Sequence, residues 1–293
     1  MKAGFYPALG TPIERDGTFS PKSMAEQIEQ QITAGCAGLL VMGSMGNGTY
    51  VRNTEFRKVA ETSVEAAKGR VPVLVCTSDI SIEREMDRIA ALDGIKGIDG
   101  VVSTVPYYSG LSQEGIFTFY NEVANRSKYP VYLYDLPVVT KTPTLPATVM
   151  RLWKNPNIGG IKSGNLVTQR LLLRSGEMPA HFDAIFSNID EFDIAYKFGV
   201  NKNLDGMFSA TPKNAKIMYE ALAKDDYKTA GDALDNILEL RNFWAGTGLL
   251  MAAFSQAMTL LGCPGWYGRD YEGDIDDETK EKNKALLQKI GEI

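Results

Sequence analysis

The chain has 293 residues, of which 44% are hydrophobic, so it is long enough for one large domain with a sizeable core. A formal net charge of -5, a pI near 5.2 and no basic block exclude the composition of a nucleic-acid or anionic-membrane binder. No run approaches the roughly 20 apolar residues of a membrane span, "MKAGFYPALGTPIERDG" is not a secretory leader, and the 3 cysteines (Cys36, Cys76, Cys263) are odd in number and far apart. Together these predict a cytoplasmic protein whose cysteines are small buried hydrophobes.

Short apolar, β-branched runs recur along the chain at about the length of a βα unit. They are residues 5–9, 38–42, 71–76, 100–104, 131–134, 158–162, 182–186 and 204–208. Most are continuously hydrophobic rather than alternating, as parallel strands covered on both faces require. Helices are expected between them. Ser20-Pro21 opens the first and Gly35 closes it. Asn53 is expected to cap the next, on which Phe56, Val59, Ala60 and Val64 share a face. Ser112 opens another that runs to about Ser127. From Pro212 onward only helical stretches follow, including "DDYKTAGDALDNILELRNFWA" and "DDETKEKNKALLQKIGEI".

Eight alternating units predict an α/β fold, a (β/α)8 TIM barrel, with a C-terminal helical appendix. We place the barrel at residues 1–223 and the appendix, packed on it, at residues 224–293. An open doubly wound sheet fits less well, because "LGTPIERDG" after the first strand is no dinucleotide-binding turn.

In such a barrel the chemistry sits at the C-terminal ends of the strands. The second strand ends in Gly43-Ser44-Met45-Gly46, the fourth leads to Pro106-Tyr107-Tyr108, the fifth ends in Tyr134-Asp135 and the sixth in Lys162. The only histidine, His181, precedes the seventh strand, at the opposite end. A histidine base and a His-rich metal site are therefore not expected, and neither "FSNIDEF" nor "MFSATPKN" offers a phosphate cradle. No metal or cofactor is expected. Lysine, tyrosine and hydroxyl groups suit covalent amine catalysis, in which a neutral amine condenses with a ketone and the protonated imine withdraws electrons from the adjacent carbon. Apolar surroundings disfavour an ammonium, so the approach Ile158-Gly159-Gly160-Ile161 to Lys162 is what that chemistry requires. A strand-end lysine that snorkels to solvent or pairs with a carboxylate would read the same way. Tyr134, one strand away, is placed to move protons or simply to pack. The glycine-rich "GSMG" turn could nest a carboxylate on its N–H groups.

Three motifs, in order and at matching spacing, resemble the dihydrodipicolinate synthase / N-acetylneuraminate lyase family of pyruvate-dependent class I aldolases. They are "GSMGNGTYVRNTEF", "PYYSGLSQEGIFTFY", and "VYLYDLPVVT" followed by "NIGGIKSGN". The resemblance implies Lys162 as the Schiff-base residue, Tyr134 as general acid/base, and Ser44 as a proton relay. It implies that Tyr108 reaches into a neighbouring subunit's site, hence a homotetramer built as a dimer of dimers. Gly43, Met45, Asp190, Glu191 and Phe208 would contact substrate, and the small-molecule partners would be pyruvate, as the 2-keto acid, and an aldehyde. Departures are Met45, Asn47 where a glutamate is usual, Asp135 where an asparagine is usual, and Ala210 where the sugar-acid branch often has serine. Val139 stands where the synthase branch has an arginine, which removes a bidentate carboxylate partner. The expected reaction is cleavage or condensation of a 2-keto-3-deoxy sugar acid. Dehydration of such an acid, 4-hydroxy-tetrahydrodipicolinate synthesis, or a catalytically idle keto-acid-binding role are the alternatives.

Overall fold

A computed structural model describes residues 1–293. Eight strands form one parallel sheet: β1 (Gly4–Pro7), β2 (Leu39–Val41), β3 (Val73–Cys76), β4 (Gly100–Ser103), β5 (Val131–Asp135), β6 (Ile158–Ser163), β7 (Asp183–Phe186) and β8 (Lys202–Asp205). Each pairs with its sequence neighbour from β2 to β8, and β8 pairs back with β1. The remaining seam closes through a parallel bridge of Ala8 to Leu40, with Leu9 N–H donating to the Leu40 carbonyl at 2.8 Å. The result is the expected (β/α)8 barrel. All strands except β8 are buried along their whole length, which is why they read as unbroken apolar runs.

The eighth strand lies two residues earlier than its apolar run suggested. Lys202 pairs with Gly4 and Asp205 with Pro7, while the Asp205 carboxylate accepts the Met207 N–H at 2.8 Å and turns the chain into a 3₁₀ helix, Met207–Ser209. Polar residues start this strand because the barrel floor accommodates them: Lys202 pairs with Asp183 at 3.1 Å, and Asp183 also binds the Met1 ammonium at 2.8 Å.

The first helix, Pro21–Ala34, ends as expected at Gly35, whose φ of 91° and N–H bonds to Gln31 and Ile32 carbonyls close it. Asn53 does not cap the second helix; Arg52 occupies the cap position and Asn53 is its first residue, with no side-chain cap. Ser112 does cap the helix Gln113–Arg126, accepting the Gly115 N–H. After β8 come the helices Pro212–Leu222, Tyr227–Gly246, Leu250–Leu260 and Asp277–Lys289. One apolar cluster of 76 buried residues runs from Phe5 in the barrel through Trp244 and Phe254 to Leu287 near the end. Trp244 donates to Asn283 at 2.7 Å, joining two of the late helices. Between the last two helices, the chain returns to the C-terminal ends of the barrel strands. There Trp266 and Ile13 exchange two 2.8 Å backbone hydrogen bonds.

Candidate active site

Tyr134 and Lys162 are register partners in the β5–β6 pair, so their side chains leave adjacent strands at the same level. The glycines before Lys162 permit this. A Cβ at Gly160 would lie 2.4 Å from the Asp183 carbonyl oxygen, so only glycine lets β6 approach β7 this closely. Lys162 is 6% exposed and its Nζ lies 3.8 Å from the centroid of the Tyr134 ring. The amine has a π-face rather than a carboxylate as its close neighbour. Burial pushes the Asp205 carboxyl up, and no ion pair joins it to Lys162. The Tyr134 phenol stands 3.2 Å from Ser44 Oγ, within hydrogen-bonding reach, and is itself buried.

The turn after β2 presents Ser44. Met42 and Asn47 adopt left-handed conformations, φ 56° and 47°. Gly48 is obligatory, since a Cβ there would lie 1.8 Å from the Met42 carbonyl oxygen. The turn closes on itself through Asn47 N–H to Ser44 carbonyl and Gly48 N–H to Gly43 carbonyl, both 3.2 Å. The amides of Ser44 and Met45 find no acceptor inside the protein, which leaves them free for an anion. Asn47 Nδ2 donates to the Tyr267 carbonyl at 2.6 Å, tying the turn to the C-terminal extension. The Met45 side chain packs over Gly206 at the end of β8.

Asp135 braces the site. Its carboxylate accepts the Thr144 N–H at 2.9 Å and the Ser163 hydroxyl at 2.8 Å, linking β5, β6 and the following loop, and burial pushes its carboxyl up.

A cavity of about 240 Å³ opens beside Ser44 and Tyr134. Tyr107, Val139, Arg88 and Arg269 share its wall with Gly43 and Cys76. Lys162 is not on that wall; the Tyr134 ring that covers it is. Cys76 contacts Ser78 Oγ at 3.2 Å, and burial pushes its thiol up, so it is not a reactive thiolate here.

The other candidates lie apart from this cavity. Asp190 forms a bidentate pair with Arg241, Nη2 to Oδ1 at 2.7 Å, and the guanidinium holds its carboxyl below the usual range. Glu191 lines a separate groove with Asp135, Pro137 and Asn165. The Phe208 ring is wholly buried, edge-on to Phe5 at 5.6 Å. Tyr108 is 82% exposed and is not on the wall of this cavity. His181 is exposed before β7.

Sequence reasoning missed Arg88 and Arg269, and met Tyr107 only as part of the segment after the fourth strand. Arg88 had a signal: on the helix Ile82–Ala90 it and Glu85 sit at inward positions with Ile89, where charge is unexpected. Arg269 had none, because it lies on an irregular loop of the extension.

The family model described as "Dihydrodipicolinate synthetase family" matches residues 1–290. A 4-hydroxy-tetrahydrodipicolinate synthase of Parvibaculum lavamentivorans is 31% identical over 248 residues, covering 83% of this chain and 82% of that enzyme. Another from Acidiphilium cryptum is 28% identical over 99% of both chains. Among solved structures, YagE, a prophage protein of the dihydrodipicolinic acid synthase family from E. coli K12 in complex with pyruvate, superposes with a TM-score of 0.89 at 23% identity over 100% of both chains. A match along almost its entire length, on the barrel and strand-end motifs described above, establishes that the chain belongs to the dihydrodipicolinate synthetase family.

Proposed function

We propose that the protein is a Schiff-base lyase, a pyruvate-dependent class I aldolase that cleaves 2-keto-3-deoxy sugar acids to pyruvate and an aldehyde, or condenses them in reverse. The observation that carries this reading is Lys162: a buried strand-end amine without a carboxylate partner, lying against a tyrosine whose phenol meets Ser44.

In the condensing direction, the pyruvate carboxylate rests on the free amides of Ser44 and Met45. The neutral Lys162 amine attacks the keto carbon, and Tyr134 protonates the leaving hydroxyl, which departs as water. The resulting iminium acidifies the methyl carbon. Its proton passes to Tyr134, and the enamine carbon attacks the aldehyde. Tyr134 then protonates the new alkoxide, and water hydrolyses the imine to free Lys162. Ser44 relays protons to the cavity. The lysine supplies the electron sink, so the cycle calls for no metal or organic cofactor. Gly43 contributes backbone to the carboxylate nest, and Asp190, Glu191 and Phe208 are kept as substrate-contacting positions implied by the resemblance. For Asp190 this requires Arg241 to release it.

The exposed Tyr108 supports an assembly in which it enters a neighbour's site, as a dimer of dimers. Three buried free cysteines support a reducing, cytoplasmic setting, and no helix is long and apolar enough to cross a membrane. We treat residues 224–293 as an extension packed on the barrel of residues 1–223.

A second reading, 4-hydroxy-tetrahydrodipicolinate synthesis, is favoured by the names of the curated relatives. It uses the same imine and differs in the aldehyde. Val139 in place of the arginine of that branch counts against it.

Borohydride reduction in the presence of pyruvate, followed by peptide mass mapping, tests both. The adduct is expected on the Lys162 peptide and absent in Lys162→Ala. Tyr134→Phe should slow turnover about 100-fold or more. An unmodified Lys162 peptide sinks the proposal.

A further inference from the structure

The cavity beside Ser44 and Tyr134 has two guanidinium groups on its wall and no carboxylate. The two differ in what they have left to offer. Arg88 is buried and largely engaged: its Nη1 donates to the Gly48 and Ser78 carbonyls at 3.2 and 3.3 Å, and its Nε lies 3.1 Å from the Asp79 carboxylate, outside hydrogen-bonding geometry. Arg269 is held firmly but little used. Its backbone N–H donates to Glu272 Oε2 at 2.9 Å, and its carbonyl accepts the Trp266 indole N–H at 3.0 Å. Its guanidinium carbon lies 5.3 Å from the Tyr50 ring centroid and 6.0 Å from that of Tyr271, a bracket of two aromatic rings. Nη1 pairs with Glu272 Oε1 at 3.2 Å, Nε is covered and unpartnered, and the side chain as a whole is 39% exposed. What Arg269 can offer a ligand is therefore the accessible edge of a guanidinium held between two rings and engaged by a single carboxylate contact.

We propose that Arg269 is the anion anchor of this cavity, so that the compound bound there carries a second acid group, carboxylate or phosphate, at the end remote from its 2-keto acid. The inference rests on the Schiff-base reading and adds the chemistry of the substrate's far end. One end of such a substrate meets the amides of Ser44 and Met45, and the other meets a planar donor fork suited to a two-oxygen acceptor. Val139 lines the same wall, so the extension supplies from outside the barrel a cation that the strand-end loop lacks.

The test uses the full chain and borohydride trapping on Lys162, with the half-saturating keto-acid concentration as readout. Two matched pairs isolate the tail: 2-oxopentanoate against 2-oxoglutarate, and 2-keto-3-deoxygluconate against its 6-phosphate. The acid-tailed member of at least one pair should half-saturate at a concentration about tenfold lower, and the favoured pair tells carboxylate from phosphate. Arg269→Gln should abolish that advantage while leaving pyruvate trapping unchanged. Arg269→Lys should keep part of it, and it serves as the deciding variant where Arg269→Gln does not fold. A merely structural role would not move the ratio within a pair. No acid-tail advantage in either pair, or one that survives in the glutamine variant, overturns the proposal. Absence of pyruvate trapping in the wild type is a separate failure, that of the Schiff-base reading.

Discussion

Glu85 shows how far one residue can depart from its ordinary chemistry. It is fully buried on the helix Ile82–Ala90, accepting from Thr77 and Ser103 hydroxyls at 3.0 Å each. Burial outweighs both hydroxyls and pushes its carboxyl up from 4.5 to about 8. Between those values the native chain holds a proton that the unfolded chain releases. This contribution to stability is therefore complete below about pH 4.5, declines as pH rises, and is gone above about pH 8. Each tenfold change in proton affinity is about 1.4 kcal/mol, so a few kcal/mol are at stake. Urea unfolding at pH 6 and pH 9 should show the wild type losing more stability than Glu85→Gln. Parallel losses in the two proteins would refute the assignment. At this scale strand ends and residue chemistry picked out Lys162, Tyr134 and Ser44, which the fold brings together. The sequence did not expose Glu85 or Arg269, whose roles depend on partners supplied by distant segments.

Among the elements, the turn from Met42 to Gly48 is tightly constrained. Two non-glycine residues with positive φ hold it open, and the Asn47 amide anchors it to the Tyr267 carbonyl. Asn47→Gly keeps the conformational freedom and removes only the anchor. It should cost about 1–3 kcal/mol, the range for leaving a buried acceptor unpaired, and raise the half-saturating pyruvate concentration by loosening the Ser44 and Met45 amides. Thermal unfolding and trapping kinetics would check it; an unchanged melting temperature would show that the anchor is idle. Strand positions were legible because burial on both faces writes itself as an apolar run. The eighth was displaced because its first residues, Lys202 and Asn203, are polar. The second helix's cap was misplaced by one residue because Asn53, though a good capping type, begins the helix instead of preceding it.

For the whole molecule, the surface at the strand ends bears on assembly. Tyr108, in the loop after β4, is 82% exposed, and Val138, in the short helix Pro137–Thr140 after β5, is 87% exposed. Light scattering should give a mass near a multiple of 32.2 kDa, and Tyr108→Ala should lower turnover while sparing imine formation. A fully active monomer would remove Tyr108 from the site. The barrel was legible from eight regularly spaced runs. The extension's contribution to the site was not, since nothing in helical periodicity says which loop will fold back over the mouth.

That fold-back has a thermal consequence. Lys162 and Tyr134 stand on adjacent strands of a closed sheet, whereas Arg269 and the Tyr267 carbonyl belong to a strap joining two late helices. Warming that frays the strap first would unlatch the far wall while Lys162 and Tyr134 stay in register. The enzyme should then grow indiscriminate about what it accepts before it grows slow.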